Sequence, residues 1–83
     1  MNEITQIGQD AVTIIGRAKD KFRGQLTDGE HAYMNLLLLE LYQLMYAHAA
    51  HASGTTCRPE IDRAANAIRD YVSFIESAAS AAT

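Results

Sequence analysis

The apolar positions of the chain fall into three periodic segments, and the middle segment differs from the other two. At about 2–23 and 58–80, apolar side chains recur at three- and four-residue steps, which is typical of a helix with one buried stripe. The helix predicted at about 28–52 is instead apolar nearly all the way round over residues 31–52, whereas a surface helix of a small domain usually has a polar face. The two stripes comprise Ile4, Ile7, Ala11, Ile14, Ala18 and Phe22, widened by Val12 and Ile15, and then Ile61, Ala65, Ile68, Val72, Ile75 and Ala79.

Local signals place the ends of these helices. Gly24 suits the position just after a helix C-terminus, where the backbone often adopts a left-handed conformation. Thr27 and Glu30 form a Ser/Thr-x-x-Glu capping box ahead of the second segment, and Pro59 suits the first turn of the third. Because the connections are short, neighbouring helices should be antiparallel. The sequence predicts one all-α domain over 1–83, built as a three-helix bundle or as a helical hairpin with the N-terminal helix packed on it.

The central helix has two apolar faces. At 100° per residue, a broad primary face forms from one set of side chains, namely Met34, Leu37, Leu38, Leu41, Leu44 and Met45. Leu36, Leu39, Tyr42 and Tyr46 fall largely on the other side. Since one neighbouring surface cannot cover both faces, the helix should lie between two helices of its own chain or against another copy of the chain. We expect a homo-oligomer, a dimer or larger. The candidate interface residues are Leu36, Leu39, Tyr42 and Tyr46, joined by Tyr71 and Phe74 at the flank of the third stripe.

Composition narrows the class of partner. The formal net charge is −3 and the isoelectric point is about 5.4, which argues against binding nucleic acid or anionic lipid through clustered cations. The longest uninterrupted apolar run, 36–39, is far below the roughly 20 residues that span a bilayer. The first ten residues lack a signal-peptide pattern, and the only cysteine, Cys57, has no partner for an intrachain disulfide. We therefore expect a cytoplasmic protein that binds neither nucleic acid nor membranes.

Few residues of the sequence could bind a metal ion or act in catalysis. His48, His51 and Cys57 are the one set that resembles zinc ligands, but a fourth ligand is missing. Cys57 beside His51 would need an oxyanion hole to act as a nucleophile, and the sequence shows none. Helix-end charge compensation and packing on the apolar flank account for the two histidines. We predict no catalytic residues, no metal and no cofactor.

Two further features of the first helix have both a plain and a functional explanation. Arg17, Lys19 and Lys21 are possible contacts for an anion, although the negative end of the helix already favours cations there. Gly8 and Gly16 are eight residues apart and would allow another backbone to approach closely. They would otherwise be tolerated glycines that each cost about 1 kcal/mol relative to alanine.

These observations favour a small non-catalytic protein that self-associates and binds or inhibits another protein. Phage- or plasmid-encoded inhibitors, such as anti-defence proteins, and chaperone-like adaptors have this size and style. The alternative is an oligomeric sponge that sequesters a small phosphate-containing ligand such as a cyclic nucleotide. In that alternative Arg17, Lys19 and Lys21, or Arg58, Arg63 and Arg69, hold the phosphates and tyrosines stack on the bases.

Overall fold

Three helices packed against one another make up the described part of the chain. The computed structural model describes residues 3–50 and 58–82. Helix α1 spans Glu3–Lys21, α2 spans Asp28–Ala50 and α3 spans Arg58–Ala82, and each helix packs against the other two. No strand occurs within these ranges. The predicted all-α, three-helix architecture is therefore confirmed.

The α1–α2 connection follows the predicted signals, although α1 ends earlier than Arg23. The N–H of Gln25 donates to the carbonyl of Phe22 at 2.9 Å, which turns the chain away from the helix axis. Gly24 completes this turn with a φ of 83°, a conformation that glycine adopts without steric cost. The capping box then forms in both directions. The N–H of Glu30 donates to Thr27 Oγ1 at 3.1 Å, and the N–H of Thr27 donates to Glu30 Oε1 at 2.8 Å.

Two polar contacts define the directions of the helices. Lys19 near the end of α1 donates to the side-chain oxygen of Asn35 near the start of α2 at 2.8 Å, so α1 and α2 are antiparallel. Arg58 at the start of α3 bonds Glu3 at the start of α1 at 2.7 Å, so α1 and α3 run in the same direction. The hydrogen bond and positive charge of Arg58 hold the pKa of the Glu3 carboxyl below its usual value. The result is an up-down-up rod of 50 × 20 × 19 Å.

The core runs along the line where the three helices meet. The stripe predicted for α3 is buried from Ile61 to Ile75, and the stripe of α1 is buried in the middle of the helix around Ile15. In α2 only Met34 and Leu41 are fully buried, while the other four residues of the predicted primary face are partly buried against the core. Val12 departs from the prediction, because it is 41% exposed instead of widening the buried stripe.

Outside the core, the described side chains of the three helices are exposed or partly buried. No charged or polar residue of the described ranges is buried. None of the three helices there is both long enough and apolar enough to cross a lipid bilayer.

Candidate interaction surface

Large apolar side chains project from the solvent-facing side of α2, and two of them, Tyr42 and Tyr46, also border α1. Leu36, Leu39, Tyr42 and Tyr46 are exposed, Tyr46 by 80% of its surface, and we call these four residues the outer face of α2. The helical rotation explains their position, since it places Leu36, Leu39 and Tyr46 roughly opposite the fully buried Leu41 and turns Tyr42 toward α1. The sequence prediction divided the two sides of α2 in the same way.

The outer face of α2 is almost free of charge. Glu40 is the only Asp, Glu, Lys or Arg between residues 31 and 50. Asn35 and Gln43 are exposed and uncharged. Apart from Asn35 and Gln43, this side of α2 has few polar groups that would lose water if it were covered.

Beside the outer face, α1 and α2 enclose a shallow groove. It consists of two adjoining open hollows of about 520 and 580 Å³ that share Thr5, Tyr42 and Met45. Gly8 of α1 lies at its base, against the end of Met45. The groove has only uncharged walls apart from one histidine, and its lining residues are Ile4, Thr5, Gly8, Gln9, Val12, Thr13, Tyr42, Met45, Tyr46, His48 and Ala49.

A second apolar surface lies where α2 meets α3. The rings of Tyr33 and Tyr71 make an edge-to-face contact with centroids 4.7 Å apart, and Phe74 stacks on Tyr71 at 6.4 Å. Phe74 is 64% exposed, whereas Tyr71 is half-buried. Burial, with the nearby charge of Glu30 and the neighbouring Tyr33, raises the pKa of the Tyr71 phenol. We call Tyr33, Tyr71 and Phe74 the aromatic edge.

The three cations considered as anion contacts do not lie together. Arg17 and Lys21 line a small cleft between α1 and α3, which they share with the carboxylate-bearing Glu76. Lys19 points toward α2, where it bonds Asn35. The Lys21 ammonium also lies 5.4 Å from the centre of the Phe22 ring. The cleft therefore contains two of the three side chains considered as anion contacts, together with the opposite charge of Glu76.

The arginines of α3 have partners within the protein. Arg58 bonds both Glu3 and Asp62. Arg63 lies 3.6 Å from Glu60, and Arg69 donates to Asn66 at 3.4 Å. These contacts are of the i,i+3 and i,i+4 kind that supports exposed helices, except for the bond from Arg58 to α1.

Of the three residues that resemble zinc ligands, the structure describes His48 alone, since His51 and Cys57 lie outside the described residues. His48 lines the groove, and its Nδ1 is buried without a hydrogen-bond partner in the described part of the chain. No three residues among the described His, Cys, Asp and Glu are placed to share a metal ion.

Sequence reasoning missed two parts of these surfaces. It did not assign the α1 wall of the groove, although Gly8 was a signal for close approach. It also did not place Tyr33 with Tyr71 and Phe74, because ring contacts between helices depend on how the helices are rotated against each other. Gly16, by contrast, has no atom near the position of a Cβ.

In comparisons with known proteins, no family model matches the chain, and no curated protein or solved structure matches it either.

Proposed function

We propose that this protein is a small non-catalytic interaction protein that self-associates and binds or inhibits another protein. One observation carries the proposal. Large apolar side chains that the fold does not need for its core remain exposed by 41 to 80% on the outer face of α2, on the aromatic edge and, for one valine, in the α1 wall of the groove. They are Val12, Tyr33, Leu36, Leu39, Tyr42, Tyr46 and Phe74.

Covering these side chains with a partner surface would stabilise a complex. Burying a leucine or an aromatic side chain stabilises a complex by roughly 1.5–3 kcal/mol. Tyrosine is especially suited to interfaces, because it buries a large ring and keeps its hydroxyl available for a hydrogen bond. Tyr46, Leu36 and Leu39 contribute little to the folded protomer, since more than half of each side chain is exposed.

In this proposal the outer face of α2 serves self-association and the aromatic edge binds the other protein. The outer face of α2 is long, regular and uncharged, which fits association with another helix of the same kind. The aromatic edge is short and has one prominent ring, Phe74, beside a half-buried one, Tyr71. Such a ring suits anchoring in a pocket of a different protein. In this arrangement the assembled protein holds or blocks its partner in the manner of an inhibitor or a chaperone-like adaptor.

A capture experiment with matched variants tests the proposal. The immobilised chain, its Phe74→Glu variant and its Ser73→Glu variant are incubated with extract of the native host, and retained proteins are quantified by mass spectrometry. The control adds the same charge at an exposed neighbouring position. We expect a protein that the wild type and Ser73→Glu retain equally and that Phe74→Glu loses. If no protein distinguishes the variants, the aromatic edge does not bind a partner.

The sponge alternative has weaker support from the charges. A phosphate-binding site needs several cations that converge on one point, but Lys19 lies apart from Arg17 and Lys21. Thermal unfolding in the presence of cyclic nucleotides separates the two functions. A sponge requires a rise of several degrees in the unfolding midpoint, and we expect none.

A further inference from the structure

We propose that the outer face of α2 is covered by α2 of a second copy of this chain, aligned parallel and in register about a two-fold axis. The inference rests on the proposed function, because it assigns an occupant and a geometry to the self-association described there.

The first argument is the spacing of exposed positions on α2. One exposed row follows steps of four, three, four, three and four residues, and we call it the α2 seam. It consists of Ala32, Leu36, Leu39, Gln43, Tyr46 and Ala50. This is the a/d spacing of a two-stranded coiled coil, in which the seam of each helix meets the seam of its partner. A hydrophobic row with this period has no intramolecular role here, since the opposite side of α2 packs on the core through Leu41.

The second argument is that the seam lacks charge. Its members are all uncharged, so two copies of a protein with a net charge of −3 approach each other along a neutral surface. A partner with a charged helix would have to leave its charges unpaired on this row. A neutral helix of the same spacing satisfies it, and the chain itself supplies one.

The third argument is Gln43, which selects the orientation. It is the only polar residue of the α2 seam, and it occupies an a-type position. In a parallel pair its amide meets the amide of Gln43 in the second copy, and each donates to the other. In an antiparallel pair a-type positions face d-type positions, so Gln43 would face Leu39 and its amide would lose water without gaining a partner.

The fourth argument is the charge on the flanks. Glu40 borders the seam on the side of α3, where Tyr33 contacts Tyr71. Asn35 borders it on the side of α1 and holds the Lys19 ammonium at 2.8 Å. In a parallel pair, a residue on one flank of the first helix approaches the residue five positions earlier on the other flank of the second helix. Glu40 therefore approaches Asn35 and Lys19 of the second copy, whereas antiparallel pairing would bring Glu40 to Glu40.

The dimensions of the seam set the expected strength of the dimer. From Ala32 to Ala50 the seam is about 27 Å long at helical rise, on a helix about 10 Å wide. One pair of helices of this length buries less than the roughly 800 Å² per partner of a standard interface. We therefore expect a reversible dimer whose population depends on protein concentration, and not a permanent one.

The first experiment is a charge exchange in the full chain, read by sedimentation over a range of concentrations. The wild type should convert from monomer to dimer as concentration rises. Lys19→Glu and Glu40→Lys should each weaken the dimer about tenfold, because each replaces two attractions per dimer with two repulsions. The double variant should recover the wild-type dissociation constant to within about threefold. Arg69→Glu on exposed α3 is the control and should change nothing.

The second experiment tests the orientation by disulfide cross-linking in a Cys57→Ala background. Ala32→Cys should cross-link across the two-fold axis of a parallel dimer. In an antiparallel dimer position 32 faces position 50, and the two cysteines would lie about 27 Å apart along the axis, beyond the reach of a disulfide. Ser73→Cys on exposed α3 is the control and should remain reduced.

Each outcome supports or overturns the pairing. A chain that is folded by circular dichroism and monomeric at every concentration overturns it. So does a dimer that fails to cross-link at position 32, or a double exchange that stays as weak as the single ones. If the monomeric outcome is accompanied by Phe74-dependent capture of a host protein, the binding function stands and only the pairing fails. A cross-linked dimer that captures nothing supports the pairing and overturns the binding function.

Discussion

Gly8 of α1 and Met45 of α2 lie so close together that a Cβ at position 8 would fit only if the end of the Met45 side chain moved. A Cβ at Gly8 would stand 2.5 Å from the terminal methyl carbon of Met45 and 2.9 Å from its sulfur. The absent side chain lets Met45 lie across α1 at the base of the groove. This contact fixes how near α1 approaches the part of α2 that presents Tyr42 and Tyr46.

Two glycine substitutions measure the value of this contact. Gly16→Ala should raise the free energy of unfolding by about 1 kcal/mol, because alanine favours a helix interior and nothing lies within 4 Å of the new atom. Gly8→Ala gains the same propensity, but it displaces the flexible end of Met45 and should be clearly less stabilising or destabilising. Chemical denaturation of both variants gives the comparison. Equal stabilisation by the two alanines would show that the approach at Gly8 costs nothing to change.

Leu41 and Leu39 are two residues apart and should respond differently to truncation. Leu41→Ala empties a fully buried site and should lower the free energy of unfolding by about 2–5 kcal/mol. Leu39→Ala alters a side chain that is half exposed and should cost less than about 1 kcal/mol. Denaturation at low protein concentration measures the protomer alone. A large loss for Leu39→Ala under those conditions would mean that this side chain supports the fold of the single chain.

The capping box at the start of α2 should have a measurable effect on stability. Thr27→Ala removes the oxygen that accepts the N–H of Glu30 at 3.1 Å. We expect a loss of about 1 kcal/mol in the free energy of unfolding. Thr13→Ala in the exposed middle of α1 is the matched control and should cause no loss, since alanine has the higher helix propensity. Identical effects of the two substitutions would mean that the cap does not stabilise the start of α2.

Tyr71 makes stability sensitive to alkaline pH. Burial, Glu30 and Tyr33 raise the pKa of its phenol in the folded protein above the value of about 10 in the unfolded chain. The stabilisation of the neutral phenol is therefore complete below the unfolded pKa and is lost as pH rises through the folded pKa. The tyrosinate absorbance of the wild type minus that of Tyr71→Phe should show a midpoint above 10. A midpoint at or below 10 would contradict the burial of this phenol.

The sequence predicted the fold well because two of the three helices have a one-sided pattern. The spacing of Ile61, Ile68 and Ile75 allows one helical face only, and that face is buried. The capping residues Thr27 and Glu30 likewise specify their own hydrogen bonds, which need no information from distant parts of the chain.

The sequence was less informative where position depends on contacts between helices. Gly8 and Gly16 are equivalent in local pattern, yet only Gly8 lies against α2. Lys19 and Lys21 are two residues apart, which turns them to opposite sides of α1, toward α2 and α3 respectively. The apolar character of Val12 predicted a place in the core, but Val12 lies about 100° round the helix from the buried Ala11, so its side chain is exposed and lines the groove.

The up-down-up order has a mechanical consequence. α1 begins at one end of the 50 Å rod and α3, which runs in the same direction, finishes at the other. Tension applied between those two points pulls the helices lengthwise past one another, so many side-chain contacts must yield together. A load applied sideways at one end would separate them turn by turn. The rod should therefore resist stretching along its axis far better than peeling.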